Sequence, residues 1–128
     1  HIVLRGGEQG PNYDPSSVSA ALNRLENVKL PSRLLIDCAH HNSGKKHDKQ
    51  LHVFQSVIHQ ILEGNTNIRG LMLESHLQSG NQTLPNHPTQ LQYGVSITDP
   101  CLDWHSTAHL IQWSAEILQR QLSTAQAS

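Results

Sequence analysis

Three short apolar runs recur along this 128-residue chain at a near-constant interval, and each breaks off on a polar side chain. The first, Ile2-Val3-Leu4, ends at Arg5-Gly6-Gly7. The second, Arg33-Leu34-Leu35-Ile36-Asp37-Cys38, runs into the polar stretch Ala39-His40-His41-Asn42-Ser43-Gly44-Lys45. The third, Ile68-Arg69-Gly70-Leu71-Met72-Leu73, ends at Glu74. Runs of this length read as strands. Between them the period changes to a helical one, with Val18, Ala21, Leu22, Leu25 and Val28 after a capping Asp14-Pro15, then a stripe of Leu51, Phe54, Ile58 and Ile61, widened by Val57 and Leu62, over residues 48–63. Gly64 stands where a helix-ending glycine belongs.

Strands alternating with helices predict parallel strands joined by crossover helices. Their onsets near residues 2, 34 and 68 lie roughly 30 to 35 residues apart, which suits consecutive units of a (β/α)8 barrel. A barrel needs at least about 200 residues. Three parallel strands alone would leave two open edges and an uncovered apolar face. The expectation is therefore an α/β chain, the end of a barrel whose front is missing. The opening His1, in place of Met, fits the same expectation.

A last helix is expected from Asp103 to Leu122, with Trp104, Ala108, Ile111, Ala115, Leu118 and Leu122 as its regular buried stripe, widened by Leu110, Trp113 and Ile117. Residues 75–99 lack a period and carry Gly80, Pro85, Pro88 and Gly94, as a functional or mobile loop would. The tail 123–128 is small and polar and is expected to fray.

Charge narrows the function classes. Nine basic against ten acidic residues leave a formal charge of −1. Neither nucleic acid nor an anionic membrane is an expected partner. No apolar run approaches the roughly 18 residues of a membrane span, and no leader precedes the first strand. Cys38 and Cys101 are too few for a disulfide framework and read as reduced thiols of a cytosolic protein. Ten histidines make the chain gain positive charge as pH falls through roughly 6.5.

In a barrel, reacting groups sit at the C-terminal strand ends and in the loops that follow. Arg5 can grip a phosphate or carboxylate with two parallel hydrogen bonds, beside two glycines that let backbone approach a ligand. His40 follows the second strand, Glu74 closes the third, and Asp99 precedes the last helix. Each also has an ordinary explanation: a surface-turn arginine, a hydrogen-bonded loop histidine, a paired glutamate, a turn-capping aspartate. One imidazole and two carboxylates on one barrel face could bind a divalent metal. Separations of 34 and 25 residues make no compact signature, however.

The wording of the segments is more specific. His1-Ile2-Val3-Leu4-Arg5-Gly6-Gly7, Pro11-Asn12-Tyr13, Ile36-Asp37-Cys38-Ala39-His40-His41-Asn42-Ser43, Gly70-Leu71-Met72-Leu73-Glu74-Ser75-His76-Leu77, Gly80-Asn81-Gln82, Tyr93-Gly94-Val95-Ser96-Ile97-Thr98-Asp99-Pro100-Cys101 and Trp104 follow one another in order. Together they resemble the class I 3-deoxy-D-arabino-heptulosonate 7-phosphate (DAHP) synthases, to about residue 120. The resemblance implies a metal-dependent (β/α)8 TIM barrel, of which residues 1–122 would be the C-terminal portion with strands six to eight and the final helix. It implies condensation of phosphoenolpyruvate with erythrose 4-phosphate, the first step of the shikimate pathway, in the cytoplasm, by a parent that is a homodimer or homotetramer.

By the same resemblance His40, Glu74 and Asp99 take the places of three metal ligands, and Arg5 that of an arginine holding the phosphoenolpyruvate phosphate. The fourth ligand, a cysteine of the first strand, and the remaining phosphoenolpyruvate contacts are absent from this chain. The ion would be manganese, iron, cobalt or zinc. Asp37 and the Asn42-Ser43-Lys45 loop would support the site. His41, Asp103 and His105 depart from the family's usual residues; His41 would bring a bulky ring near the site. This stretch alone is expected to be inactive. The alternative is a non-catalytic interaction or metal-binding module left from a truncated barrel.

Overall fold

The computed structural model describes residues 1–126, in the order β1 (Ile2–Leu4), α1 (Pro15–Asn27), β2 (Leu34–Asp37), α2 (Gln50–Leu62), β3 (Ile68–Met72) and α3 (Trp104–Gln126). The strands form one parallel sheet in sequence order. Leu4 pairs with Ile36 and Ile36 with Leu71, while Val3 pairs with Leu35. An irregularity between Leu34 and Leu35 sets Leu35 opposite Gly70, where any Cβ would lie 2.7 Å from the Leu35 side chain.

Alternation along a strand divides these residues between two faces. Leu4, Leu34 and Ile36 are buried with Val18, Leu22 and Leu25 of α1, Val53, Phe54, Val57 and Ile58 of α2, and Leu110 of α3. On the other face Val3 is 41% and Met72 46% exposed. The helices thus cover one side of the sheet.

Local chemistry starts and stops the helices much as expected. Asp14 accepts from the Ser17 amide at 3.0 Å, and Pro15 opens α1. Lys29, at φ 56°, ends that helix, with Leu30 N–H bonded back to the Leu25 carbonyl. Val28, placed by its spacing on the inner stripe, falls in this turn and is 64% exposed. Gly64 ends α2 at φ 104°. Asp103 accepts from the Ser106 amide at 2.7 Å and so caps α3.

Two expectations are corrected. The face of α3 that meets the rest of the chain carries Leu110 (3% exposed), Thr107, Ser114, Trp113 and Ile117. Leu110, Trp113 and Ile117 lie inside as expected, and of the regular stripe Leu118 also packs against the core, but three of its members lie outside: Trp104 is 64%, Ile111 53% and Leu122 66% exposed. Adjacent residues of a helix lie about 100° apart, so two neighbouring apolar faces fit one sequence equally well. Contact with α2 selects between them, through Trp113 edge-on to His59 and the Gln121 amide donating to the Leu62 carbonyl. The helix also continues past Leu122 to Gln126, which takes in four of the six residues of the expected tail; residues 127–128 lie outside those described.

Residues 75–102 are irregular but tied down. Ser75 bridges to Leu102, Gly80 to Cys101 and Asn81 to Ser96. The Gln82 amide donates to the carbonyls of Gln92 and Val95 and accepts from the Gln92 N–H. No helix among the described residues is long and apolar enough to cross a membrane.

Candidate metal centre

The C-terminal ends of β2 and β3 and the end of the long loop converge. His40, Glu74 and Asp99 each offer one ligand atom, and these atoms lie within 4.8 Å of one another. His40 Nε2 is 3.4 Å from a Glu74 carboxylate oxygen and 3.6 Å from one of Asp99. Sequence separation had left this convergence open.

His40 is aimed by its neighbours. Asp37 ends β2 and is buried; one carboxylate oxygen accepts from the Ala39 amide at 2.8 Å, and the other meets His40 Nδ1 at 2.8 Å. With the proton on Nδ1, Nε2 presents a lone pair to Glu74 and Asp99. His40 itself sits at φ 49°, in the left-handed region that non-glycine residues seldom adopt. The turn holds it there, its carbonyl accepting from Lys45 N–H at 2.7 Å and from the Ser43 hydroxyl at 3.2 Å. Strain of this kind persists where surrounding bonds over-determine it, often at functional sites.

Asn42 ties β1 to β2. Its buried amide donates to the carbonyls of Leu4 and Asp37, and its side-chain oxygen accepts from Asn12 N–H. Its own N–H donates to the Arg5 carbonyl. Gly6 makes this approach possible: at φ 72°, a Cβ there would lie 2.8 Å from His41 Cβ. Arg5 therefore stands at the same end of the sheet, and its charge favours the ionised Glu74 carboxylate. The His41 side chain lines a cleft with Gly7, Tyr13 and His52 and is not part of the His40 cluster.

Burial is the largest influence on Glu74 and pushes its carboxyl up; His40 opposes this, and the charges of Asp99 and Asp37 add to it. Three acids gathered on one imidazole are short of positive charge, and a cation would offset both burial and repulsion. The donor set of one nitrogen and two carboxylates suits a borderline divalent ion. Thiol ligation has no support among the described residues. Burial and the Asp37 charge push the Cys38 thiol up to about 12, Cys101 is raised as well, and neither belongs to the cluster.

Sequence reasoning passed over Gln50, whose buried amide bonds the backbone of Glu74. It was detectable, because Gln50 extends the inward face Val53-Phe54-Val57 back by one turn.

Residues 1–112 match the family model described as the DAHP synthetase I family. The chain belongs to that family. It is 46% identical over 121 residues to the tyrosine-inhibited phospho-2-dehydro-3-deoxyheptonate aldolase of Schizosaccharomyces pombe, covering 92% of this chain and 32% of that protein. It is 40% identical over 123 residues to the Tyr-sensitive enzyme of the same name from Escherichia coli, covering 96% and 34%. The structure of the phospho-2-dehydro-3-deoxyheptonate aldolase of Francisella tularensis superposes with a TM-score of 0.87 at 38% identity, over 94% of this chain and 35% of that one. The chain thus spans about a third of the length of these DAHP synthetase relatives.

Proposed function

We propose that this chain is the C-terminal portion of a (β/α)8 barrel, with residues 1–122 supplying strands six to eight and the final helix, and that the whole barrel condenses phosphoenolpyruvate with erythrose 4-phosphate. The observation that carries the reading is the convergence of His40, Glu74 and Asp99 at the C-terminal end of the sheet, where barrel enzymes place their chemistry. The open sheet face and the exposed α3 stripe of Trp104, Ile111 and Leu122 fit closure by further strand–helix units.

In this reading His40, Glu74 and Asp99 hold a divalent manganese, iron, cobalt or zinc ion, with a cysteine from the front of the barrel as fourth ligand. When bound, such an ion polarises the aldehyde oxygen of the sugar phosphate. Arg5 holds the phosphate of phosphoenolpyruvate and offsets its charge while C3 attacks the aldehyde and water attacks C2. Asp37 keeps the His40 proton on Nδ1 throughout. Phosphate leaves by C–O cleavage. The parent works in the cytoplasm as a homodimer or homotetramer.

Three donors and one phosphate clamp are an incomplete site, so the chain alone is inactive. Incubated with both substrates and manganese, it releases no phosphate. Grafted in place of the matching third of the E. coli relative, it yields a barrel that does. In that graft His40→Ala lowers the rate by more than the roughly 10–100-fold that loss of an outer partner costs. A folded graft with no activity, or one indifferent to His40→Ala, contradicts the proposal.

A further inference from the structure

Gln50 is the first residue of α2 and is 1% exposed, and the next inward residues of the helix are Val53, Phe54, Val57 and Ile58. A primary amide in that position costs stability unless both its ends are bonded. Both ends are bonded to one residue. The Gln50 carbonyl oxygen accepts from the Glu74 N–H at 2.9 Å, and its NH2 donates to the Glu74 carbonyl at 3.1 Å. That residue lies just beyond β3, whose pairing with β2 stops at Met72. The same Glu74 carbonyl accepts from Leu102 N–H at 2.9 Å, three residues beyond the Asp99 turn. We propose that Gln50 is a positioning residue that clamps the Glu74 peptide, so that its carboxylate meets His40 Nε2 and the Asp99 carboxylate in one geometry. This rests on the metal reading of the site. Ligand geometry must hold within about 0.5 Å to be productive, and the bond from Leu102 N–H holds only the carbonyl side of Glu74, whereas Gln50 bonds its N–H as well.

The test uses Co(II) as the probe on the full chain, following visible absorption and affinity, with the Glu74→Gln chain subtracted to remove binding by the other histidines. Gln50→Met keeps the side chain's length and removes both hydrogen bonds. Gln60→Met is the matched control: Gln60 is 5% exposed on the same helix, and its amide donates instead to the Tyr13 carbonyl. Urea unfolding is measured on both. The expected result is that Gln50→Met weakens the Glu74-dependent affinity about tenfold or more and alters the Co(II) spectrum, while Gln60→Met keeps both. Equal affinities in the two variants overturn the proposal. Glu74 N–H exchange in the unsubstituted chain gives a second reading that needs no variant: protection supports the clamp, and free exchange overturns it. Failure of the unsubstituted chain to bind Co(II) in a Glu74-dependent way sinks the metal reading, and the positioning role with it.

Discussion

At the scale of single residues, the site depends on which ring nitrogen of His40 carries the proton. Asp37 decides this, because its buried carboxylate can only accept from Nδ1. In Asp37→Asn the oxygen can still accept from the Ala39 amide, and the NH2 group then faces Nδ1. The imidazole must move its proton to Nε2, where it points at Glu74 and Asp99 and blocks a metal. Calorimetric titration with zinc should show affinity reduced about 10–100-fold, with the fold intact by circular dichroism; unchanged affinity would mean Asp37 does not set the tautomer. His40, Glu74 and Asp99 were nameable beforehand because each ends a strand or precedes a helix. Their meeting was not, since nothing in separations of 34 and 25 residues says that two loops fold over the same strand ends.

At the scale of elements, start and stop signals are local and were therefore legible. Asp14 shows why. The Ser16 hydroxyl first, then the Ser17 hydroxyl and amide, bond its carboxylate and hold it well below the usual carboxylate range. Its contribution is complete above the unfolded-chain value of about 4 and is lost as pH falls towards the depressed folded value. Asp14→Ala should cost about 1 kcal/mol by urea unfolding at pH 7, and the gap from the unsubstituted chain should narrow progressively below about pH 4; a gap constant with pH would rule out the ionised cap. The orientation of α3 was legible only in part: Leu110, Trp113 and Ile117 were placed inside, but the neighbouring stripe of Trp104, Ile111 and Leu122 carries the same periodic signal and lies outside. The choice has a measurable consequence. Leu110→Ala should cost about 2–5 kcal/mol, whereas Ile111→Ala, one residue on, should stay within about 0.5 kcal/mol. The reverse order in urea unfolding would restore the stripe that spacing alone favours.

For the whole molecule, the strand–helix alternation was readable from period and spacing, and the parallel sheet in sequence order agrees with it. The exposed α3 residues Trp104, Ile111 and Leu122 and the exposed Val3 and Met72 of the sheet are apolar surface that the proposed barrel would cover. The proposed chemistry nevertheless rests on three side chains, His40, Glu74 and Asp99. The most direct measurement is anomalous diffraction from crystals of the chain soaked in cobalt. A peak is expected about 2.0–2.2 Å from His40 Nε2 and from carboxylate oxygens of Glu74 and Asp99. Peaks confined to the other histidines, with none between these three residues, would contradict it.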